Sequence, residues 1–431
     1  METTVGIGLL GAGIVGGSLV RRLVDENDAI RAKTGLDLRI VRIAVADLSK
    51  ERDFTVDEGV LTDDPMAVIE DEKVKLVVEV MGGLEPAGDL ILAALEASKP
   101  VITANKELIA ARGAELIAVA ERNGVPFLFE AAVGGGIPII RPLSETLAGE
   151  QIDKIMGIVN GTTNFILTRM SEDGQEFDQA LKEAQRLGYA EADPTADISG
   201  ADAAAKAAIL SSLAFGVWVG QEDVYREGID GISLVDLRHA DELGFVVKLL
   251  AVAEKTTGGI CTRVHPVMLP KSHPLASIRG SGNAIFIKGP QIDELLFAGP
   301  GAGGAPTATA VLGDVIDAAR EILAGAQVSP AIRFGSGEIL DFADVHTEWY
   351  VRLMVDDQPG VLASIAHEFG ANDVSIKSVW QEGEHGEATL LLITHRARES
   401  NQRAAVAAVE GLESVRRVAT VMRVEGADTG R

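Results

Sequence analysis

Three observations predict an α/β protein built in three parts. A glycine-rich turn, Gly11-Ala12-Gly13-Ile14-Val15-Gly16, lies between an apolar, strand-like run at 5–10 and a helix-like segment reaching about residue 27. Short apolar runs then alternate with helical periodicity to about residue 130, the pattern of a Rossmann-type, doubly wound parallel sheet. Residues 349–423 read strand, helix, strand, strand, helix, strand, the ferredoxin-like βαββαβ order.

In the first part (1–136), strands are expected at 5–10, 39–46, 75–80, 100–103 and 125–129, with helices at 89–97 and 110–122. G-x-G-x-x-G between strand and helix is a dinucleotide fingerprint. Gly11 permits the tight turn, Gly13 lets backbone approach a pyrophosphate, and Gly16 lets the helix pack on the strand. The N–H groups of the helix N-terminus are then available to phosphate. The alternative is a structural glycine turn. In such sheets the ligand lies beyond the carboxyl ends of the strands, where Asp47, residues 81–83, Thr103 to Lys106 and residues 130–136 fall.

From 137 to 304 the pattern becomes α+β and suits substrate binding and subunit contact. Helices are expected at 138–148, 177–187, 200–215 and 233–255, and strands at 152–159, 263–268 and 284–288. Pro306 fits the first position of a helix over 306–323, and residues 305–345 are expected to pack back on the first part. The third part spans 348–425, with strands at 349–355, 374–380, 387–395 and 415–423 and helices at 361–369 and 400–410.

The chain has 431 residues, 47% of them hydrophobic, enough for more than one core. A net charge of −25 argues against nucleic-acid and anionic-membrane partners. The single cysteine, Cys261, excludes an intramolecular disulfide and fits a reducing, cytoplasmic compartment. It reads as a core thiol. The start, Met-Glu-Thr-Thr, has no basic region, and no apolar run reaches about 18 residues, so neither export nor a membrane span is expected.

Lys106 follows the fourth strand and points toward the cofactor crevice, unless it simply begins the next helix in solvent. In 188–210, Glu191, Asp193, Asp197 and Asp202 precede Lys206, the only charge within 203–215. Asp202 and Lys206 are four apart and share a helix face. A lysine on an alanine-rich helix is costly to bury unless paired, and a carboxylate beside it suits proton transfer. An exposed ion pair is the bland alternative. The carboxylates are suited to grip a substrate ammonium, although Asp193-Pro194 also reads as a turn. The run Glu130-Ala-Ala-Val-Gly-Gly-Gly-Ile-Pro138 is either a hinge or a small cation site built from carbonyls. No His/Cys cluster has zinc spacing, and no Ser-His-Asp arrangement is apparent.

Taken together, residues 11–16, Thr103-Ala-Asn-Lys106, Glu130 to Pro138, Asn160-Gly-Thr-Thr-Asn164, Gly188-Tyr-Ala-Glu-Ala-Asp-Pro194, Asp197 to Lys206 and residues 299–307 resemble the homoserine dehydrogenases, motif by motif and in order, up to about residue 340. The C-terminal part, with Asp356-Asp-Gln-Pro-Gly-Val-Leu362 between strand and helix, resembles an ACT regulatory domain.

The resemblance implies NAD(P)-linked interconversion of L-aspartate 4-semialdehyde and L-homoserine, on the route to threonine and methionine. It implies that Lys206 is the proton donor and acceptor, with Asp202 as partner. It places Lys106 on cofactor and substrate, and Glu191 on the substrate amino group with Asp197 close by. Gly11, Gly13, Ile14, Val15, Gly16, Asp47, Thr103 and Gly303 fall to the coenzyme. Glu130, Val133, Gly135 and Ile137 match a sodium-binding loop. An amino-acid effector of the ACT domain and a homodimer or larger homo-oligomer are further expectations. Coenzyme choice stays open, because Asp47 favours a ribose 2′-hydroxyl whereas Lys50 and Arg52 are placed to meet a 2′-phosphate.

Overall fold

The computed structural model describes residues 4–325, 333–384 and 386–426. The first three residues, and 326–332 of the stretch expected to pack back, lie outside them. The chain opens with β1 (Thr4–Leu10), α1 (Ile14–Asp25), α2 (Asn27–Thr34), β2 (Asp37–Ala44), β3 (Leu61–Thr62), α3 (Met66–Glu70), β4 (Leu76–Glu79), α4 (Ala87–Glu96), β5 (Val101–Thr103), α5 (Lys106–Asn123) and β6 (Phe127–Leu128). These strands form one parallel sheet in the order β3-β2-β1-β4-β5-β6. The order reverses between β1 and β4, so a crevice opens at the carboxyl end of β1.

The strands read as unbroken apolar runs because helices cover both faces of the sheet. Val5, Ile7 and Leu9 of β1 pack under Leu19, Val20 and Leu23 of α1. Leu10, Val77 and Val101 face the α4 and α5 side, with Leu90, Ile91 and Leu116.

The middle of the chain contributes β7 (Lys154–Ile158), α6 (Gly161–Asp173), α7 (Phe177–Arg186), α8 (Thr195–Ile198), α9 (Ala201–Phe215), β8 (Tyr225–Arg226), α10 (Leu234–Glu242), β9 (Phe245–Thr256), β10 (Gly259–Pro270), β11 (Gly282–Gly289), β12 (Asp293–Pro300) and α11 (Gly304–Ala324). Helix α11 leaves this part and packs on α1, burying Ala308, Val311, Leu312 and Val315 in the core of the first sheet. Residues 333–345, expected to pack there too, lie on the middle part instead, Gly335 bridging to Val217 and Ile339 to Ile260. The C-terminal part is β13 (His346–Asp356), α12 (Val361–Ala371), β14 (Ile376–Glu384), β15 (Glu387–Thr394), β16 (Ala397–Arg398), α13 (Glu399–Glu410) and β17 (Val415–Val424). Apart from the short β16, its main elements run βαββαβ. Its sheet does not stand alone. A short parallel pairing, Val267 with Arg423 and Met268 with Val424, joins β10 to β17. The result is one mixed sheet of eleven strands: nine in the order β12-β11-β7-β9-β10-β17-β13-β15-β14, with β8 beside β10 and β16 beside β13.

Two expected helices are corrected. The helix expected over 233–255 ends at Glu242, and Phe245–Thr256 is a strand. The Ser233–Asp236 capping box starts the helix, and Gly244, at φ +84°, ends it. The run that follows is apolar on both sides because β9 lies inside the sheet, between β7 and β10, and such a run has no period to separate helix from strand. The helix expected over 138–148 is only a short turn with a π-helical stretch at Pro142–Thr146. The Glu130 carboxylate accepts hydrogen bonds from the N–H groups of Ile139, Ile140 and Arg141, and two prolines remove donors nearby. Helices α2, α3, α6 and α8 and strands β3, β8, β12 and β16 had no sequence expectation.

The C-terminal part is held to the middle by a buried pair: Arg352 Nε of β13 lies 2.7 Å from Asp236 Oδ1 of α10, and Asp236 is fully enclosed. Arg352→Ala leaves that carboxylate without its cation. A loss of about 3–5 kcal/mol in chemical unfolding is expected, whereas a change near zero would show that the pair does not hold these parts together.

Candidate active site

The crevice of the first sheet is shaped by glycine. Gly11 has φ +98°, and a Cβ there would lie 3.0 Å from the Val80 carbonyl. A Cβ on Gly16 would lie 2.3 Å from the Gly11 carbonyl, so only glycine permits this contact between turn and helix. A Cβ on Gly13 would meet nothing within 4 Å, which leaves room for a ligand. Helix α1 starts at Ile14 with no side-chain cap, and Ile14 is 81% exposed. The N–H groups of Ile14, Val15 and Gly16 therefore precede the first full helical bond, Gly17 N to Gly13 O. This arrangement fits a pyrophosphate. Beyond β2, Asp47 Oδ1 accepts hydrogen bonds from the N–H and hydroxyl of Ser49, which hold its carboxyl below the usual range. Arg52 folds back to donate to the carbonyls of Asp47 and Lys50.

At the ends of β4 and β5, the buried Glu79 carboxylate accepts from the N–H groups of Met81 and Gly82 and from the Thr103 hydroxyl at 2.6 Å. Thr103 Oγ1 in turn accepts from Asn105 N, and Asn105 caps α5 through Leu108 N. The Thr103 side chain is thus enclosed and cannot face the crevice. The network instead fixes the turn that projects Lys106, the first residue of α5.

Lys106 enters a cleft of about 840 Å³ that Glu191, Asp197, Asp202, Lys206, Gly135 and Gly303 also line. At its base, Asp202 Oδ2 accepts from Lys206 Nζ at 2.7 Å and from Asn160 Nδ2 at 2.9 Å, while Lys106 Nζ lies 3.3 Å from Oδ1. Lys206 also donates to the Val159 carbonyl at 2.7 Å. Asn160 spans Asp202 and Asp197, and caps α6 by accepting from Thr163 N. Burial alone would raise the Asp202 carboxyl, but the charges of Lys206 and Lys106 and the hydrogen bonds of Lys206 and Asn160 hold it at about 2. Glu191 is exposed on the cleft wall. Asp193 also lines the cleft, with its Oδ1 accepting from the Thr195 N–H and hydroxyl.

The 130–137 loop forms the rear wall. Gly134 and Gly135 have φ +75° and +57°, and a Cβ on Gly135 would lie 2.5 Å from the Gly301 carbonyl. The Val133 and Ile137 side chains are buried in the core, so only their carbonyls are available to a cation. Gly303, at φ +116°, leads into Gly304, where a Cβ would strike Ile14 Cγ2 at 2.8 Å. The loop that lines the cleft at Gly303 is therefore packed against the nucleotide turn. Among the described residues, no group of three or more His, Cys, Asp or Glu side chains is placed to hold a metal ion.

Sequence reading did not assign Asn160, whose signal was its place before a helix start. It also passed over Glu79, a lone carboxylate closing an apolar run.

The family models that match are homoserine dehydrogenase over residues 138–316 and the homoserine dehydrogenase NAD-binding domain over 11–130. A homoserine dehydrogenase of Corynebacterium glutamicum is 46% identical over 98% of this chain and 96% of its own length. The crystal structure of a homoserine dehydrogenase from Thiobacillus denitrificans superposes with a TM-score of 0.92 at 41% identity, covering 98% of each chain. A hyperthermophilic archaeal homoserine dehydrogenase in complex with NADPH matches with a TM-score of 0.61 at 32% identity, over 74% of this chain and 98% of that one.

The state of Asp202 has a consequence for stability. Its folded value, about 2, lies below the 3.8 of a free aspartate, so the stabilisation is complete above about pH 4 and lost as pH falls toward 2. In urea unfolding, the deficit of Asp202→Asn relative to the parent should shrink by about 2 kcal/mol between pH 5 and pH 2. A deficit that does not change with pH would show that the carboxylate is not held ionised by the lysines.

Proposed function

The chain belongs to the homoserine dehydrogenase family and is an oxidoreductase with an NAD-binding domain; we propose that the cleft between the two parts carries out the family's interconversion of L-aspartate 4-semialdehyde and L-homoserine at Lys206. The observation that carries this reading is the pair of lysines sharing one buried carboxylate, in a cleft whose 301–304 loop packs against the glycine turn. A nicotinamide coenzyme, when bound, supplies the hydride for reduction and accepts it for oxidation.

The chain's own residues perform the rest. A lysine ammonium has three N–H donors. Two of those on Lys206 are engaged by Asp202 and Val159, which leaves one for the substrate oxygen. In the reducing direction Lys206 gives its proton to that oxygen as the carbonyl becomes an alcohol, and in oxidation it takes the proton back. Asp202 keeps Lys206 oriented and offsets its charge. Lys106 adds positive potential on the coenzyme side. Glu191, exposed and facing the cleft, grips the substrate ammonium, and Asp197 acts through Asn160. The nucleotide lies on Gly11, Gly13, Ile14, Val15 and Gly16, with Gly303 near the nicotinamide and any contact from Thr103 made by its backbone.

A sodium ion at the 130–137 loop belongs to the same reading. The carbonyl oxygens of Val133, Gly135 and Ile137 accept no hydrogen bond among the described residues, which suits a carbonyl-built cation site. The Glu130 carboxylate already accepts three N–H groups and would contribute chiefly by holding the loop.

For the C-terminal part we propose an ACT regulatory role, supported by its βαββαβ order and by the turn at Gly360, φ +93°, that opens α12. The effector would be an end-product amino acid such as threonine. Asp356 there is paired with Arg416 at 2.8 Å. A homodimer or larger assembly is in keeping with β14, a sheet edge that exposes Val379 and Trp380.

Assays with homoserine and NAD or NADP test the reading. Lys206→Ala should keep its fold and lose at least about a hundredfold in kcat, and parent-like turnover would remove Lys206 from the chemistry. For the coenzyme, Asp47→Ala should raise kcat/KM with NADP relative to NAD, because the carboxylate repels a 2′-phosphate. An unchanged ratio would show that Asp47 does not discriminate.

A further inference from the structure

Among the described residues, one buried side-chain oxygen of the cleft has no partner. Asn283, the second residue of β11, is 2% exposed and lines the cleft, and its Oδ1 is buried with no hydrogen bond among the described residues. A buried amide left unpaired costs about 1–3 kcal/mol, so such a group calls for a reason. Its surroundings are built around it. A Cβ on Gly301 would lie 2.0 Å from Asn283 Nδ2, and one on Gly161 would lie 3.5 Å from Oδ1. The amide is thus sandwiched between two glycines that themselves line the cleft.

The backbone that presents Asn283 is firmly held. Asn164 Nδ2 donates to the carbonyls of Ile278, Gly280 and Gly282, and Asn164 Oδ1 accepts from Lys248 Nζ at 2.8 Å. Lys248 also donates to the Ile278 carbonyl at 2.6 Å. Asn164, one turn into α6, is fully used in pinning the turn before β11. The contrast between the two asparagines separates a structural amide from one kept for a ligand.

We propose that Asn283 recognises the carboxamide of the nicotinamide ring and fixes the ring's orientation against the substrate; this rests on the reading of the cleft as the dehydrogenase site. An asparagine amide presents both a donor and an acceptor. The substrate's ammonium offers only donors and its carboxylate only acceptors, and its reacting oxygen is met by Lys206, whereas a carboxamide offers both donor and acceptor and pairs reciprocally. Position agrees with chemistry. Gly301 begins the loop that reaches Gly304 and touches Ile14 of the nucleotide turn, so Asn283 stands on the coenzyme side. Gly161 follows Asn160, which is bonded to Asp202, so Asn283 also stands beside the proton-transfer group. The carboxamide is borne on the ring carbon next to the one that exchanges hydride, and must lie in this region if Lys206 meets the substrate oxygen.

The test is calorimetric titration of the full-length protein with its preferred oxidised coenzyme and with the 3-acetylpyridine analogue, in which a methyl group replaces the amide nitrogen. The parent protein should bind the analogue about tenfold more weakly. Asn283→Ala, and Asn283→Ser as a second variant should the first not fold, should bind the coenzyme about tenfold more weakly and lose the preference over the analogue. The KM for homoserine should move less than about twofold, a negligible energy on the same scale. Three results would overturn the assignment: no discrimination by the parent protein, discrimination intact in the variants, or a defect confined to homoserine KM. A parent protein that binds coenzyme but turns over no homoserine would instead fail the reading of the cleft, a distinguishable outcome.

Discussion

The Asp202 carboxylate is the point on which the cleft depends. It is enclosed, and a lone charge there would be costly. Three donors from separate stretches offset it: Lys106 at the start of α5, Lys206 on its own helix, and Asn160 at the cap of α6. One of these belongs to the nucleotide-binding part and two to the middle of the chain. The ion cluster therefore does more than neutralise charge, because it sets the register between two parts that could otherwise slide. A buried pair is a weak source of net stability but a strong constraint on geometry, since losing any partner strands the others. The same constraint places an ammonium, with one free N–H, at the floor of the cleft.

Glycine supplies what charge cannot. Three loops meet between the nucleotide turn and the lysines: residues 11–16, 134–136 and 301–304. A Cβ would collide with backbone at Gly16, against Gly11, and at Gly135, against Gly301, and with the Ile14 and Ser18 side chains at Gly304. The loops are in van der Waals contact because they lack side chains, and this holds the nucleotide turn directly against the middle part. Helix α11 completes the arrangement. It carries the chain from the 301–304 loop back onto α1, so the loop is clamped at both ends by the cores it connects.

What could be read from sequence follows how local each signal is. The glycine turn, the strand before it and the alternating pattern to residue 130 state their structure within a few residues, and the parallel sheet is there. The spacing of Asp202 and Lys206 foretold their contact because one helix carries both. The third partner, Asn160, lies outside that helix and depends on tertiary placement. Likewise 245–255 could not be separated from helix, because its apolar character comes from strands on both sides that are distant in sequence. Asn283 gave no signal at all. Its significance is the absence of a partner, which only the folded neighbourhood reveals.

The junction with the C-terminal part shows how far the cleft's supports extend. Arg423, near the end of β17, is paired with Glu399 of α13 and with Glu227, whose other oxygen accepts from the Tyr225 hydroxyl. Beside it, Glu425 joins Lys154 and Arg263, both at 2.5 Å. These charges lie among Trp349, Tyr225 and Phe342, where the guanidinium of Arg423 stacks over aromatic rings. Main chain continues the line toward the cleft. The Glu227 carbonyl would meet a Cβ on Gly200 at 3.3 Å, and Ile229 N donates to Ile198 O. Gly200 is the residue before α9, and Asp202 sits in the first turn of that helix. The last strand of the C-terminal part is thus in unbroken contact with the turn that sets the Asp202 carboxylate. Contact of this kind becomes coupling only if one of its links has two stable arrangements. The link best suited to that is the short β10–β17 pairing, where two residue pairs join the two sheets and where a small shift of the C-terminal strands would be felt first.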